Sequence, residues 1–180
     1  MAICQTINRR LSPMEKCLWI VDQQCCSNFL SHARVIGPLD ETVLGQALKV
    51  VQARHPLLRV RIVREGRSHA RFISGPAPAI PVRLAQSASN RWTEEAEREL
   101  NTRFDAEKAP LLRCVLIRHG MEQNTVLLNF HHAIGDGLSG AYLMRDLFVA
   151  ADTVIAGKNP SSYPVKGRAV KNPLYAASRG

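Results

Sequence analysis

The sequence lacks the residue patterns of several classes of protein. Its cysteines are odd in number, and no two of them form a C-x-x-C pair of the kind found in zinc and redox sites. They are Cys4, Cys17, Cys25, Cys26 and Cys114. We therefore expect neither a disulfide framework nor a zinc site. Aromatic residues make up only 6% of the chain and no recognised nucleic-acid-binding motif is present, so no nucleic-acid partner is expected.

Targeting signals are also missing from the sequence. Neither a signal peptide nor an apolar run long enough to cross a membrane is visible in the 180 residues. These features predict a soluble protein of the reducing cytoplasm, without a membrane span.

The chain is basic, with a formal net charge of +9. Arg59 and Arg61 alternate with Val60 and Ile62, which favours one solvated face of a strand. The alternative is a surface that attracts an acidic partner, such as a phosphate-bearing cofactor or an acidic protein. With 46% apolar residues, the chain can bury a core, most simply as one domain.

Capping residues and turn residues predict alternating helices and strands. Ser12, Pro13 and Glu15 have the pattern of a helix start, with an N-cap, a first-turn proline and a capping-box acid. Asp40 caps a second helix, which must end before Pro56. Further helices are predicted at Trp92–Leu100 and Leu138–Phe148, and strands at Phe29–Ile36, Leu57–Val63, Ala70–Ile73, Ile80–Leu84, Leu111–Ile117 and Thr125–Phe130, the last two as a hairpin.

The composition changes near residue 157. Residues 1–156 carry the predicted helices and strands, whereas residues 157–180 contain glycine, proline and serine without apolar periodicity. We expect the first segment to form the domain and the second to be a connector or a tail.

The most informative segment is His-His-Ala-Ile-Gly-Asp-Gly at residues 131–137. It follows an apolar strand and precedes an amphipathic helix, and Gly135 and Gly137 would permit a sharp turn there. His131 and His132 are consecutive on an extended backbone, so their side chains should point to opposite sides. The spacing does not say which of them faces a cleft. A histidine can accept a proton from a hydroxyl or an amine near neutral pH.

Other interpretations of this segment stay open. Asp136 could join the histidines as metal ligands, although consecutive histidines rarely converge on one ion. A triad with Ser139 is disfavoured, because the full nucleophile-elbow pattern does not surround that serine. The histidines could also merely pack at the strand end. Asp136 itself could cap the following helix or, if buried, pair with a cation, and either role would be structural.

Residues 131–137 resemble the HHxxxDG signature of the condensation-domain and acyltransferase superfamily. That superfamily includes nonribosomal peptide condensation domains, polyketide-associated acyltransferases and alcohol acetyltransferases. Residues 11–19 resemble its opening helix, and residues 54–59, Arg-His-Pro-Leu-Leu-Arg, resemble its RHxxLR motif. The resemblance covers roughly residues 7–157. Residues 137–143 look closer to stand-alone acyltransferases than to peptide condensation domains.

The resemblance implies a role for each motif residue. His132 would be the catalytic base, and His131 and Arg59 would be structural. Asp136 would hold the geometry of the motif through a salt bridge, for which the resemblance suggests Arg54 as the partner. Gly137 would keep the helix start open beside the reacting carbonyl.

The resemblance also implies a fold and a reaction. The fold would be α/β, a mixed sheet flanked by helices, like one lobe of chloramphenicol acetyltransferase. The base would help a hydroxyl or amine to attack an acyl thioester, held on coenzyme A or on the phosphopantetheine arm of an acidic carrier protein. No metal and no permanently bound cofactor would be needed. Because only the first of two lobes is matched, a second lobe or self-association would complete the site. The alternative is a non-catalytic half-domain that docks a carrier protein or a partner subunit.

Overall fold

The computed structural model of the protein describes residues 6–66, 69–86, 92–120 and 122–158. Strands and helices are interspersed along these residues, which is the predicted α/β class with a mixed sheet flanked by helices. The strands are β1 (Asn8–Arg10), β2 (Asn28–Ile36), β3 (Val60–Glu65), β4 (His69–Ser74), β5 (Val82–Gln86), β6 (Leu112–Arg118) and β7 (Gln123–His131). The helices are α1 (Pro13–Gln24), α2 (Glu41–Arg54), α3 (Trp92–Leu100) and α4 (Gly137–Ile155), with short 3-10 helices at Pro56–Arg59 and His132–Ile134.

The predicted helix starts are confirmed by their caps. The backbone N–H of Ser12 donates to the Glu15 carboxylate at 2.7 Å, and the Ser12 hydroxyl accepts from the Glu15 N–H at 3.4 Å. These two bonds form the predicted capping box. The carboxylate of Asp40 accepts from the Val43 N–H at 2.8 Å, and α2 ends at Arg54, ahead of Pro56.

Two predicted strands begin later than expected because of prolines. The segment after Pro56 first forms a 3-10 helix, in which this proline occupies an early position where no N–H is needed. The strand therefore starts at Val60 rather than Leu57. Similarly, β5 starts at Val82, directly after Pro81, which has no N–H to give to a sheet.

Helix α4 is longer than predicted and has a defined end. Gly157 has a left-handed φ of +64°. Its N–H donates to the carbonyl of Val154, and the Lys158 N–H donates to that of Thr153, both at 3.0 Å. This arrangement closes the last turn of the helix. The predicted connector, residues 157–180, lies outside the described residues from position 159 onward.

Two sheets form the framework. The larger has the order β2-β7-β6-β5, in which β5 and β6 are parallel and the other neighbours are antiparallel. The predicted hairpin between β6 and β7 is therefore confirmed. The smaller sheet has the order β1-β4-β3 and is antiparallel.

The four-stranded sheet is covered on both faces, which explains why its central strands are apolar at successive positions. One face packs with α2 and α4 in the main core, through side chains that include Cys114, Leu116, Val126, Leu128 and Phe130. Alternate residues of the same strands, Val115, Ile117 and Leu127, pack with Ala96 of α3 on the opposite face. The sheet thus presents the end of β7 from a rigid layer.

Helix α3 is fixed to its sheet face by charge as well as by packing. Glu99 is buried, and its carboxylate accepts from Arg113 at 2.8 Å and from Arg83 at 3.1 Å. Partial burial alone would raise the pKa of Glu99, but the hydrogen bonds and charges of the two guanidinium groups outweigh it and hold this pKa below its ordinary value.

Of the two alternating arginines, Arg61 lies on the predicted solvated strand face, whereas Arg59 does not. Val60 and Ile62 are buried and Arg61 is exposed, which is the solvated strand face. Arg59 belongs to the 3-10 helix, and its guanidinium donates to the carbonyls of Gln52 and Ala53, both at 2.6 Å. It therefore satisfies the C-terminal carbonyls of α2.

The cysteines of the described residues form no disulfide. Cys17, Cys25, Cys26 and Cys114 are free thiols, and Cys4 lies outside the described ranges. Across residues 6–66, 69–86, 92–120 and 122–158, no helix has both the length and the apolar character needed to cross a membrane.

Candidate active site at the strand-to-helix turn

The histidine segment lies where β7 ends and α4 begins. The His131 N–H donates to the carbonyl of Leu111 at 3.1 Å, and the His132 N–H donates to the carbonyl of Ser27 at 3.0 Å. The backbone of the two histidines is therefore fixed by segments from two different parts of the chain. A side chain that starts from such a backbone has a defined direction.

His131 is fully buried, with 0% of its surface exposed. Its Nδ1 accepts from the Ala133 N–H at 3.1 Å, and its Nε2 lies 3.5 Å from Oδ2 of Asp22. The edge of the Phe104 ring packs beside it. Burial lowers the pKa of His131 below its ordinary value, which the charge of Asp22 offsets only in part. The ring is therefore a neutral, packed group at neutral pH.

His132 is half-buried and has a different environment. Its Nδ1 lies 3.0 Å from the carbonyl oxygen of Gly135. Because a carbonyl can only accept, Nδ1 carries the hydrogen and the neutral ring has its lone pair on Nε2. The ring centroid lies 5.0 Å from that of Phe29. The two histidines thus occupy opposite environments, as the alternation of an extended strand predicts.

Asp136 is the N-cap of α4. Its Oδ1 accepts from the Ser139 N–H at 2.8 Å and from the Ser139 hydroxyl at 2.7 Å. Partial burial alone would raise the pKa of Asp136, but the Ser139 hydrogen bonds and the nearby His132 outweigh it, and the pKa lies below its ordinary value. Asp136 therefore caps the following helix, which is one of the two structural roles that the sequence left open.

The predicted salt bridge between Arg54 and Asp136 is not supported. Arg54 lies at the end of α2 beside Asp146, with its Nε 3.9 Å from Oδ2 of that carboxylate. Helices α2 and α4 pack along each other, and their packing brings the buried Asp146, rather than the N-cap of α4, to Arg54. The motif turn is therefore held by its own cap.

A charged cluster surrounds Asp146, which sequence analysis missed. His55 Nε2 lies 3.0 Å from Oδ2 of this carboxylate, and Nη2 of Arg145 lies 2.8 Å from Oδ1. Burial lowers the pKa of His55, although its hydrogen bond to Asp146 acts in the opposite direction. His55 belongs to the RHxxLR-like segment, which was the available sequence signal. In the described ranges, no group of three or more histidine, cysteine, aspartate or glutamate residues could hold a metal ion.

Neither glycine of the turn uses the backbone freedom expected for a sharp turn, whereas the open helix start expected at Gly137 stays a prediction. Gly135 has an extended φ of −179°, and Gly137 is the first residue of α4, so neither uses a left-handed conformation. A Cβ atom at Gly137 would meet nothing within 4 Å. Close packing favours glycine at position 140, where a Cβ atom would collide with the Ser31 hydroxyl and lie 3.1 Å from Cε2 of Phe29, and also at position 135, where it would lie 3.2 Å from Cβ of Ser139.

A small cavity lies beside the turn. Its volume is about 50 Å³, and it is lined by His55, Leu57, Leu58, Phe130, Ile134, Gly135, Ser139 and Leu143. Ligand pockets usually measure about 300–1,000 Å³. This cavity can therefore hold one or two water molecules or a small group, but not a whole substrate.

Solved structures have the same fold. The first condensation domain of the calcium-dependent antibiotic synthetase, in complex with substrate analogue 2a, superimposes with a TM-score of 0.77 at 20% identity and covers 89% of this chain and 40% of that chain. The starter condensation domain of rhizomide synthetase RzmA superimposes with a TM-score of 0.71 at 16% identity, over 88% of this chain and 40% of that chain. The expected fold of one chloramphenicol-acetyltransferase-like lobe is confirmed.

Similar sequences occur in large synthetases. The chain is 31% identical over 164 residues to a linear gramicidin synthase of Brevibacillus parabrevis, and the match covers 83% of this chain and 2% of that protein. It is 30% identical over 144 residues to phosphinothricin tripeptide synthetase PhsC of Streptomyces viridochromogenes, covering 72% of this chain and 13% of that protein. These two relatives are synthetases, rather than the stand-alone acyltransferases that residues 137–143 resemble. The chain spans only a small fraction of their length.

The family match extends over most of the sequence. The family model described as the condensation domain matches residues 10–171 of the 180. This range contains the RHxxLR-like segment and the whole strand-to-helix turn. The chain belongs to the condensation-domain family.

Proposed function

We propose that the chain is the histidine-bearing N-terminal lobe of an acyltransferase that forms an amide or an ester from an acyl thioester. The thioester would be held on coenzyme A or on the phosphopantetheine arm of a carrier protein. The observation that carries this proposal is the state of His132. Its Nδ1–H is engaged by the Gly135 carbonyl and its side chain is half-exposed, so the basic Nε2 is the atom available to an incoming nucleophile.

His132 acts as the general base in the proposed reaction. Its Nε2 takes a proton from the acceptor amine or hydroxyl as that group attacks the thioester carbonyl. When the tetrahedral intermediate collapses, the carbon–sulfur bond breaks and the imidazolium returns the proton to the departing thiolate. The oxyanion that develops forms beside the start of α4, where the helix dipole provides partial positive charge and where Gly137 adds no side chain. His131, Asp136 and Arg54 have no part in the proton transfer and hold the fold around it.

The geometry that supports this role is the hydrogen bond at Nδ1, the nitrogen of His132 that does not take the proton. A carbonyl that binds Nδ1 fixes the tautomer of the ring and anchors one of its atoms, so the lone pair stays on Nε2. The neighbouring cavity of about 50 Å³ is too small to enclose a whole acyl thioester. The substrate therefore approaches His132 from the half-exposed side, and a second lobe or a second copy of the chain would provide the remaining wall.

Acyl transfer by purified protein tests this proposal. The chain is mixed with acyl-pantetheine or acyl-coenzyme A and a panel of amine and hydroxyl acceptors, and the product and the released thiol are quantified. His132→Ala should lower the rate by about 10²–10⁴-fold, the usual contribution of a general base. The matched control is His32→Ala, because this exposed histidine stacks on Trp92 at the face of the sheet that α3 covers. The control should retain activity. A His132→Ala variant with most of its activity would refute the base assignment.

The alternative proposal is that the chain is a non-catalytic half-domain that docks a carrier protein or a partner subunit. The net charge of +9 suits an acidic carrier protein. Binding of a phosphopantetheinylated carrier protein, without turnover of any thioester in the same assay, would support docking over catalysis.

A further inference from the structure

We propose that Phe29 is a positioning residue for His132, whose aromatic ring holds the imidazole in the orientation that proton transfer requires. This inference rests on the proposed role of His132 as the base. The hydrogen bond from Nδ1 to Gly135 fixes only one atom of a half-exposed ring. A second contact is needed to keep Nε2 in one place, and the ring of Phe29 provides it at a centroid distance of 5.0 Å and an interplanar angle of 51°.

Phe29 is itself held in a rigid setting. It lies in β2, directly opposite Phe130 of β7, and the two rings stack with centroids 4.6 Å apart and an interplanar angle of 4°. Cross-strand aromatic pairs of this kind are favourable in antiparallel sheets. Since Phe130 lies two residues before His132, the side of the turn from which the imidazole projects is the side that Phe29 already occupies.

One glycine leaves room for this ring, because a Cβ atom at Gly140 would lie only 3.1 Å from its Cε2. The ring also reaches the turn, since a Cβ atom at Gly135 would lie in ordinary contact with its Cζ at 3.8 Å. Phe29 thus contacts the turn that carries the base and the first turns of α4 simultaneously. An ordinary core phenylalanine would contact only apolar side chains. This ring instead contacts His132, lies near Gly135, whose carbonyl binds His132, and packs against Gly140 in the first turns of α4.

The chemistry gives the aromatic ring a further effect during the reaction. The imidazole becomes a cation when it takes the proton of the nucleophile, and an aromatic ring within about 6 Å attracts such a cation. An aliphatic side chain of similar volume fills the space but has no such interaction. Phe29→Leu therefore removes the orientation and the attraction together while it keeps most of the packing.

Nitrogen NMR of the histidine rings in the purified chain is the direct test. In the unmodified protein we expect one His132 tautomer, with the hydrogen on Nδ1, and nuclear Overhauser effects between the rings of Phe29 and His132. In Phe29→Leu we expect a mixture of tautomers and a more mobile ring. Phe104→Leu is the matched control, because Phe104 packs against His131 instead, and it should leave the His132 spectrum unchanged.

Kinetics provide the second readout. In the acyl-transfer assay, Phe29→Leu should lower kcat at least about tenfold, since small displacements of a catalytic group have large effects on rate, and leave KM within about twofold. Absence of the ring-to-ring Overhauser effects in the unmodified protein would overturn the inference, even if the variant failed to fold. So would an unchanged tautomer and kcat in a folded Phe29→Leu. A changed tautomer in a protein that turns over no thioester would support the positioning contact and refute only the proposed function.

Discussion

The Nε2 atom of His131 lies 3.5 Å from Oδ2 of Asp22, and both side chains are buried. This distance is longer than that of a good hydrogen bond, so Nε2 of the neutral ring lies beside the carboxylate without a full hydrogen bond to it. The other carboxylate oxygen of Asp22 accepts from the Ser27 N–H at 2.9 Å. Ser27 in turn binds the backbone of His132 through its carbonyl. The end of α1 and the residues that follow it thus support both histidines. Asp22 lies beside the side chain of His131, and Ser27 binds the backbone of His132.

We predict that His131→Ala destabilises the protein by about 2–4 kcal/mol, because it leaves a cavity beside Phe104 and a buried carboxylate at Asp22 without its neighbour. His132→Ala should cost less than about 1 kcal/mol, since that side chain is half-exposed. Urea unfolding of the two variants measures both values. Equal losses of stability in the two variants would contradict the assignment of His131 as the packed histidine and His132 as the half-exposed one.

We predict that Asp136→Ala destabilises the protein by about 1 kcal/mol, the usual effect of losing an N-cap. A buried salt bridge with Arg54 would instead give about 3–5 kcal/mol. Asp136→Ser keeps a capping oxygen without the charge, so it should retain most of the stability. Thermal and urea unfolding distinguish the two interpretations. A large loss in both variants would restore the salt bridge that the sequence suggested.

Local signals explain which parts of the fold could be predicted. The capping box at Ser12, the cap at Asp40 and the apolar runs of β6 and β7 are set by residues close in sequence, and all were predicted. The opposite environments of His131 and His132 also follow from strand geometry. Prolines shifted two strand starts, because a missing N–H acts at one residue and leaves the apolar pattern around it unchanged.

Contacts between distant segments explain what could not be predicted. The partner of Arg54 depends on how α2 packs against α4, which brings Asp146 rather than Asp136 to it. The need for glycine at position 140 depends on the approach of α4 to Ser31 of β2. Neither relation has a sequence spacing that would indicate it. The identity of the buried histidine likewise depends on Asp22, which lies far away along the chain.

We predict opposite effects for two glycine-to-alanine changes in helices. Gly140→Ala should destabilise the protein by about 1–3 kcal/mol, because the added methyl group collides with Ser31 and presses on Phe29. Gly45→Ala in α2 is the matched control. A Cβ atom there meets nothing within 4 Å, so this change should stabilise the protein by about 0.5–1 kcal/mol through helix propensity. Equal effects of the two changes on the urea midpoint would argue against the close packing of α4 on β2.

We predict that the stability of the protein falls in mild acid because of His131, which is buried, and His55, which is mostly buried. Burial lowers the pKa of His55 and of His131, so the unfolded chain takes up protons first as the pH falls below about 6.5. The free energy of unfolding should therefore be lower at pH 5.5 than at pH 7.5. The depressed pKa of Glu99 acts in a separate window, because its contribution is present above its ordinary value of 4.5 and is lost as the pH falls through its lowered pKa. His55→Gln, which can still donate to Asp146, should flatten the dependence between pH 7.5 and 5.5. Urea unfolding at both pH values measures this slope, and an unchanged slope in His55→Gln would show that His55 is not held neutral by burial.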